Sequence, residues 1–144
     1  HQPMLDPATG NCLTYNGETY NYRDLSKFIR VNPRSGSDTE AVLHAYSALH
    51  TDLFAQLRGM FALGIWDGRK SELILARDRF GIKPLYYYIS EHQLIFASEL
   101  RALLATGLIP RKLSQAGVDS YLANGSVAAP LTIVEGVRPL LPGH

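Results

Sequence analysis

The stretch Met60–Ala76, MFALGIWDGRKSELILA, decides how this chain folds. Large and small residues alternate from Met60 to Trp66, so Phe61, Leu63 and Ile65 share one face. Asp67-Gly68 then supplies a turn, and Glu72 to Ala76 returns. A period of two with turn residues between the halves predicts an antiparallel pair of strands rather than a helix. Two further runs, Leu85 to Ile89 (LYYYI) and Gln93 to Ala97 (QLIFA), are joined by a polar Ser90-Glu91-His92 tip. Four short strands with tight links predict one antiparallel meander.

Upstream the period is helical. Tyr22 to Arg30 carries Leu25, Phe28 and Ile29 at i, i+3 and i+4, which predicts a short amphipathic helix. Asn32-Pro33-Arg34-Ser35-Gly36 reads as a loop. Ser37-Asp38-Thr39-Glu40 matches the S-x-x-E capping box ahead of Val42, Leu43, Tyr46 and Leu49. A second helix is expected from Asp52 to Arg58, with Leu53, Phe54 and Leu57 inward and Gly59 as its stop. Downstream, helices are expected from Ser98 to Thr106 and from Ser114 to about Asn124, with a last strand at Ile133 to Val137. Helices, then strands, then helices again is the α+β pattern.

The composition excludes several classes. The 144 residues are enough for one domain with a core, and 46% of them are hydrophobic, an ordinary globular fraction. Lys and Arg number 14 against 13 Asp and Glu, which leaves no electrostatic footprint for nucleic acid or an anionic membrane. No apolar run reaches the roughly 18 residues of a transmembrane helix, and no secretory signal opens the chain. Cys12 is the sole cysteine, so neither an intrachain disulfide nor a Cys-based zinc site is available. That usage suits a reducing, cytoplasmic setting. The five histidines are scattered, and no metal site is expected. The opening His1-Gln2-Pro3-Met4 and the close Leu141-Pro142-Gly143-His144 suggest a piece of a longer protein.

Few residues offer chemistry. Cys12 sits in an expected strand with no histidine near it in sequence, which reads as a buried structural thiol. Tyr86-Tyr87-Tyr88 alternates faces as strand packing does, without the basic stripe of a base-stacking platform. Arg77-Asp78-Arg79-Phe80-Gly81-Ile82-Lys83-Pro84 is a dense loop; ion pairs among Arg77, Asp78 and Arg79 would tie it down. Asp38 either helps to cap its helix or offers a carboxylate to a cationic ligand at the helix mouth. In Thr14–Tyr22, TYNGETYNY, Asn16-Gly17 is by itself a hairpin-turn signal. Alternatively, the Asn16 side-chain NH₂ and the Gly17 N–H are two donors for a developing oxyanion, as acyl transfer requires. Glycine there would also let a substrate approach the main chain.

Five motifs in order carry a resemblance: YNGETYNYRDL (Tyr15 to Leu25), SDTEAVLHAY (Ser37 to Tyr46), RGMFALGIWD (Arg58 to Asp67), ARDRFGIKPLYY (Ala76 to Tyr87) and FASELRALL (Phe96 to Leu104). Together they resemble the glutaminase domain of glutamine-hydrolysing asparagine synthetases, a class II glutamine amidotransferase. The resemblance implies an N-terminal-nucleophile fold, with two stacked antiparallel sheets between helical layers. It implies glutamine as substrate, attacked at its side-chain amide by an N-terminal cysteine that uses its own α-amine as base. By motif, Asn16 and Gly17 would form the oxyanion hole at their turn, Glu18 would help position glutamine, and Asp38 would bind its α-ammonium group. No cofactor is implied for this domain. ATP and Mg are expected in a C-terminal synthetase domain of the same polypeptide, where ammonia would convert aspartate to asparagine. A homodimer is the candidate assembly.

The resemblance has limits in these residues. His1 is not cysteine, so the nucleophile and the family's first strand would precede this segment, and residues 1–144 form a partial domain expected to be inactive alone. Unpaired strand edges or apolar face would then be left open. Thr19 stands where the family usually has isoleucine. The rival readings are a non-catalytic interaction domain on the same fold, as in β-lactam-forming relatives, and a class II amidotransferase with another acceptor.

Overall fold

In the computed structural model, which describes residues 1–29 and 34–144, the first strand is β1 (Met4–Asp6). Its turn is tied by Asp6, whose carboxylate accepts from the Ala8 N–H at 3.0 Å and the Thr9 hydroxyl at 2.8 Å. The chain then runs as β2 (Asn11–Thr19), a 3₁₀ helix (Tyr22–Phe28) and α1 (Asp38–Leu49). A 3₁₀ turn (His50–Asp52) leads into the single turn of α2 (Leu53–Gln56). The hairpin expected from Met60–Ala76 forms as β3 (Gly59–Asp67) and β4 (Glu72–Arg77). These strands make one antiparallel sheet in the order β1-β2-β3-β4.

Alternation along β2 and β3 sends Leu13, Tyr15, Phe61, Leu63 and Ile65 to one face, where α1 covers them with Val42, Leu43, Ala45 and Tyr46. Leu25, Leu53 and Leu57 close that core. Burying side chains of this size is worth about 1.5–3 kcal/mol each, so the sheet–α1 layer is what holds this unit together. The opposite face carries Cys12, which is only half-buried and pairs with Trp66, itself 43% exposed. The expectation of a buried core thiol is therefore corrected: the even positions of β2 point away from α1.

A second unit, residues 84–142 with His144, is separate from the first, residues 1–83 with Gly143. It contains β5 (Tyr86–Ile89), β6 (Leu94–Ala97), α3 (Leu100–Ala105), α4 (Gln115–Asn124) and β7 (Val137–Pro139). Its antiparallel sheet has the order β6-β5-β7. Leu103, Ile109, Val134 and Val137 form its core, with Tyr86 and Tyr88 against them.

Several expectations are corrected here. The four strands of the meander are not one sheet: β3 and β4 belong to the first sheet, β5 and β6 to the second. The Asp78–Pro84 loop, too long for a hairpin link, separates them. The helix expected over 52–58 lasts only to Gln56. Side chains take its carbonyls instead: Asn21 donates to Gln56 O at 2.9 Å, and Arg79 to Leu57 O at 3.0 Å and Ala55 O at 3.3 Å. The last strand begins at Val137 rather than Ile133, because the Thr132 hydroxyl donates to the carbonyls of Val134 and Val137 and holds a turn between them. Arg30, Asn32 and Pro33, expected in the first helix and its following loop, lie outside the described residues. No described helix is long and apolar enough to cross a membrane.

Candidate active site

Asn16 and Gly17 are not at a turn. They lie in the interior of the nine-residue β2, where Asn16 pairs with Ala62 and Gly17 with Phe61. The hairpin reading fails because the inward pattern continues through the pair: Tyr15 and Thr19 are both buried on the α1 side. What the glycine supplies is closeness. Gly17 has φ +158°, and a Cβ there would collide with the Met60 carbonyl oxygen and come within 2.7 Å of Phe61 Cα. Gly59 repeats this from the other strand, with φ +158° and a Cβ position 3.0 Å from Thr19 Cα.

The backbone direction at Gly17 follows from its neighbours. Tyr15 turns both main-chain groups away from β3: its N–H donates to Gln2 Oε1 and its C=O accepts from Gln2 Nε2, each at 2.7 Å. Thr19 turns its N–H the same way, to Asp38 Oδ2 at 2.9 Å. Main-chain direction alternates along a strand, so Gly17, two residues from each, also aims its N–H at that open edge. The Gln2 amide acts as one residue of an edge strand and stops short of Gly17. Nothing in the sequence pattern marks Gln2 for this.

The other residues singled out by motif lie on β2 beside Gly17 and at the start of α1. Asn16 and Glu18 are exposed and project from the same face of β2, about 6.6 Å apart along the strand. Asp38 is half-buried at the start of α1, and through Thr19 it stands one peptide from Glu18. Its other oxygen accepts from the Thr39 N–H at 2.8 Å. Two carboxylates and two N–H donors around a strand edge suit a ligand with a cationic end and a carbonyl to polarise. Asp38 thus helps to cap α1 together with Ser37, whose hydroxyl accepts from the Glu40 N–H at 3.3 Å. The capping box is only half made: the Glu40 carboxylate turns instead to the N–H groups of Arg34 and Ser35.

Sequence reasoning missed the residues that brace this edge. The Tyr15 and Thr19 hydroxyls lie 2.8 Å apart in the core. Burial pushes the Tyr15 hydroxyl pKa well up, and the negative charges of Asp38 and Glu18 add to it, so the phenol stays protonated. Asn21 clamps the approach to β3, accepting from the Arg58 N–H at 2.9 Å. Asp78, 1% exposed, accepts from the N–H groups of Phe61, Phe80, Ile82 and Lys83 at 3.0–3.3 Å. Burial works to raise its pKa, but those four donors win and lower it. Side-chain-to-backbone hydrogen bonds of this kind tie the 77–83 loop. Among the described residues, no three His, Cys, Asp or Glu side chains gather as metal ligands.

A family model described as a glutamine amidotransferase domain matches residues 1–144. The chain belongs to that family. As an amidotransferase domain it is 37% identical over 130 residues to a putative glutamine-hydrolysing asparagine synthetase of Methanocaldococcus jannaschii, covering 89% of this chain and 25% of that protein. It is 36% identical over 149 residues to an asparagine synthetase of Bacillus subtilis, covering 99% of the chain and 24% of the relative. An amidase of Gibberella zeae is 35% identical over 151 residues, covering all of the chain and 21% of the relative. The domain thus spans about a quarter of the curated relatives it matches. Among solved structures, the glutamine phosphoribosylpyrophosphate amidotransferase of Bacillus subtilis aligns with a TM-score of 0.61 at 24% identity, over 74% of this chain and 26% of that one. That likeness shows the fold: α+β, of the N-terminal-nucleophile type.

Proposed function

We propose that this domain hydrolyses glutamine to glutamate and ammonia for a synthetase that makes asparagine from aspartate. The observation that supports the reading is the open edge of β2: the Gly17 N–H points toward it, Asp38 is bonded there to the Thr19 N–H, and Asn16 and Glu18 flank Gly17 in the strand. In this reading the α-ammonium group of glutamine meets Asp38, and Glu18 helps to orient the substrate. The side-chain carbonyl oxygen faces the Gly17 N–H and the Asn16 NH₂. A cysteine thiolate attacks the amide carbon, and those two donors stabilise the oxyanion. Collapse with proton transfer to nitrogen expels ammonia and leaves a thioester, which water hydrolyses to glutamate.

Cys12 is not that thiolate. It lies about 13 Å along β2 from Asn16, inside the strand and without an α-amine of its own to act as base. The nucleophile is assigned to an N-terminal cysteine of the whole protein, and ATP and Mg to its synthetase portion. The asparagine synthetase names of two relatives support aspartate as acceptor.

The test is ammonia release from glutamine by the whole protein. Asn16→Ala is expected to lower kcat by about 10²–10³-fold, the usual loss on removing one oxyanion donor. Cys12→Ala is expected to keep full activity. An Asn16→Ala enzyme within threefold of the parent would remove the oxyanion assignment.

A further inference from the structure

The Asp78–Lys83 loop is fixed from inside and apolar outside. The buried Asp78 carboxylate holds the N–H groups of Phe80, Ile82 and Lys83, and the Arg77 guanidinium donates to Gly81 O at 2.8 Å and Lys83 O at 2.7 Å. On this frame Phe80 is 85% exposed and Ile82 58% exposed. Single exposed apolar residues are ordinary on any surface. Here two large ones stand two residues apart on a loop whose main chain is anchored at both ends. Such a loop has little conformational freedom left to lose on binding, which is the condition for a small patch to bind well.

The end of the chain identifies the occupant. The Gly143 N–H donates to the Asp78 carbonyl at 2.9 Å, so polypeptide continuing past His144 leaves from beside this loop. The asparagine synthetases that match the domain are about four times its length. Two side chains are far too small a patch for a stable interface between free proteins, which buries about 1,200–2,000 Å². A tethered partner needs much less, because a short link holds it at a millimolar effective concentration.

We propose that Phe80 and Ile82 are a docking knob for the polypeptide that follows residue 144, received in an apolar pocket of that portion. The inference rests on reading this chain as one domain of a longer synthetase-type protein. Asp78 bonds to Phe61, which pairs with Gly17, so the knob is rooted two strand spacings, about 10 Å, from the candidate oxyanion donor. Docking there would place the following domain beside the site that releases ammonia.

A photoreactive side chain tests this in the full-length polypeptide through Phe80→p-benzoylphenylalanine, a change at an exposed position. Irradiation is expected to yield a cross-linked peptide within one chain, joining position 80 to a residue beyond 144. Cross-links only between two chains would overturn the proposal in favour of a self-association surface, and no protein cross-link at all would overturn it outright. Ammonia release from glutamine by the same preparation is read separately. A protein that cross-links as expected but releases no ammonia refutes the proposed reaction and leaves the docking surface standing.

Discussion

Asp38, the first residue of α1, holds the end of β2: its Oδ2 accepts the Thr19 N–H at 2.9 Å. One carboxylate thus fixes the strand that carries Asn16, Gly17 and Glu18, and in the proposed reaction it also receives the substrate's ammonium group. Two substitutions separate these roles. Asp38→Ala leaves the Thr19 N–H without its acceptor and is expected to cost about 1–3 kcal/mol in urea unfolding. Asp38→Asn keeps a carbonyl acceptor and removes the charge. It is expected to stay within about 1 kcal/mol of the parent while raising KM for glutamine at least tenfold. An unchanged KM in the Asn variant would make Asp38 purely structural.

Gly17 is required for packing whatever its part in catalysis. A Cβ there meets main-chain atoms of Met60 and Phe61, which cannot swing aside as a flexible side chain can. Gly17→Ala is expected to destabilise by about 3 kcal/mol or more, since β2 and β3 must separate. Gly36→Ala, where a Cβ meets nothing within 4 Å, is the control and is expected to stay within about 1 kcal/mol. Equal urea midpoints for the two variants would show that the strands yield freely at Gly17.

Much of the fold could be read because its cause is local. Phe61, Leu63 and Ile65 face one core as their spacing requires, and Ser37 caps the helix it precedes. What could not be read depends on partners distant in sequence. Asn16-Gly17 has the chemistry of a turn, yet β3 supplies a nine-residue partner that keeps it extended. Gln2 reaching Tyr15, Asn21 reaching Gln56 and Arg79 reaching Leu57 are side-chain-to-backbone bonds, which leave no periodic trace. The candidate site was legible only as motifs. The Asp38–Thr19 bond, which ties the start of α1 to the end of β2, spans nineteen positions.

Thr19 has a partner that makes a double-variant cycle informative. Its hydroxyl lies 2.8 Å from that of Tyr15, and Thr19 is fully buried. Tyr15→Phe strands the Thr19 hydroxyl and is expected to cost about 1–3 kcal/mol. Thr19→Val likewise strands the buried Tyr15 hydroxyl and should cost about 1–3 kcal/mol. The double variant, with both polar groups gone, is expected to be more stable than Tyr15→Phe alone. Simple additivity of the two losses would mean that the hydroxyls do not interact.

Part of the acid sensitivity should come from the entrance to α1. Burial by itself would raise the Glu40 pKa, but the Ser35 hydroxyl and the N–H groups of Arg34 and Ser35, at 2.6–2.7 Å, bring it down to about 2. The folded state therefore holds this carboxylate ionised at pH values where the unfolded chain, with an ordinary value near 4.5, already binds a proton. Glu40 contributes its stability in full above that unfolded value and loses it as pH falls toward 2. Asp6, Asp67 and Asp78 are lowered too, so wild-type acid unfolding sums all four. Comparison with Glu40→Gln isolates one of them. At pH 7 the variant should be the less stable protein, and the gap in urea midpoint should narrow between about pH 5 and pH 2. A gap constant across that range would mean that Glu40 acts through its shape and hydrogen bonds alone, and not through its charge.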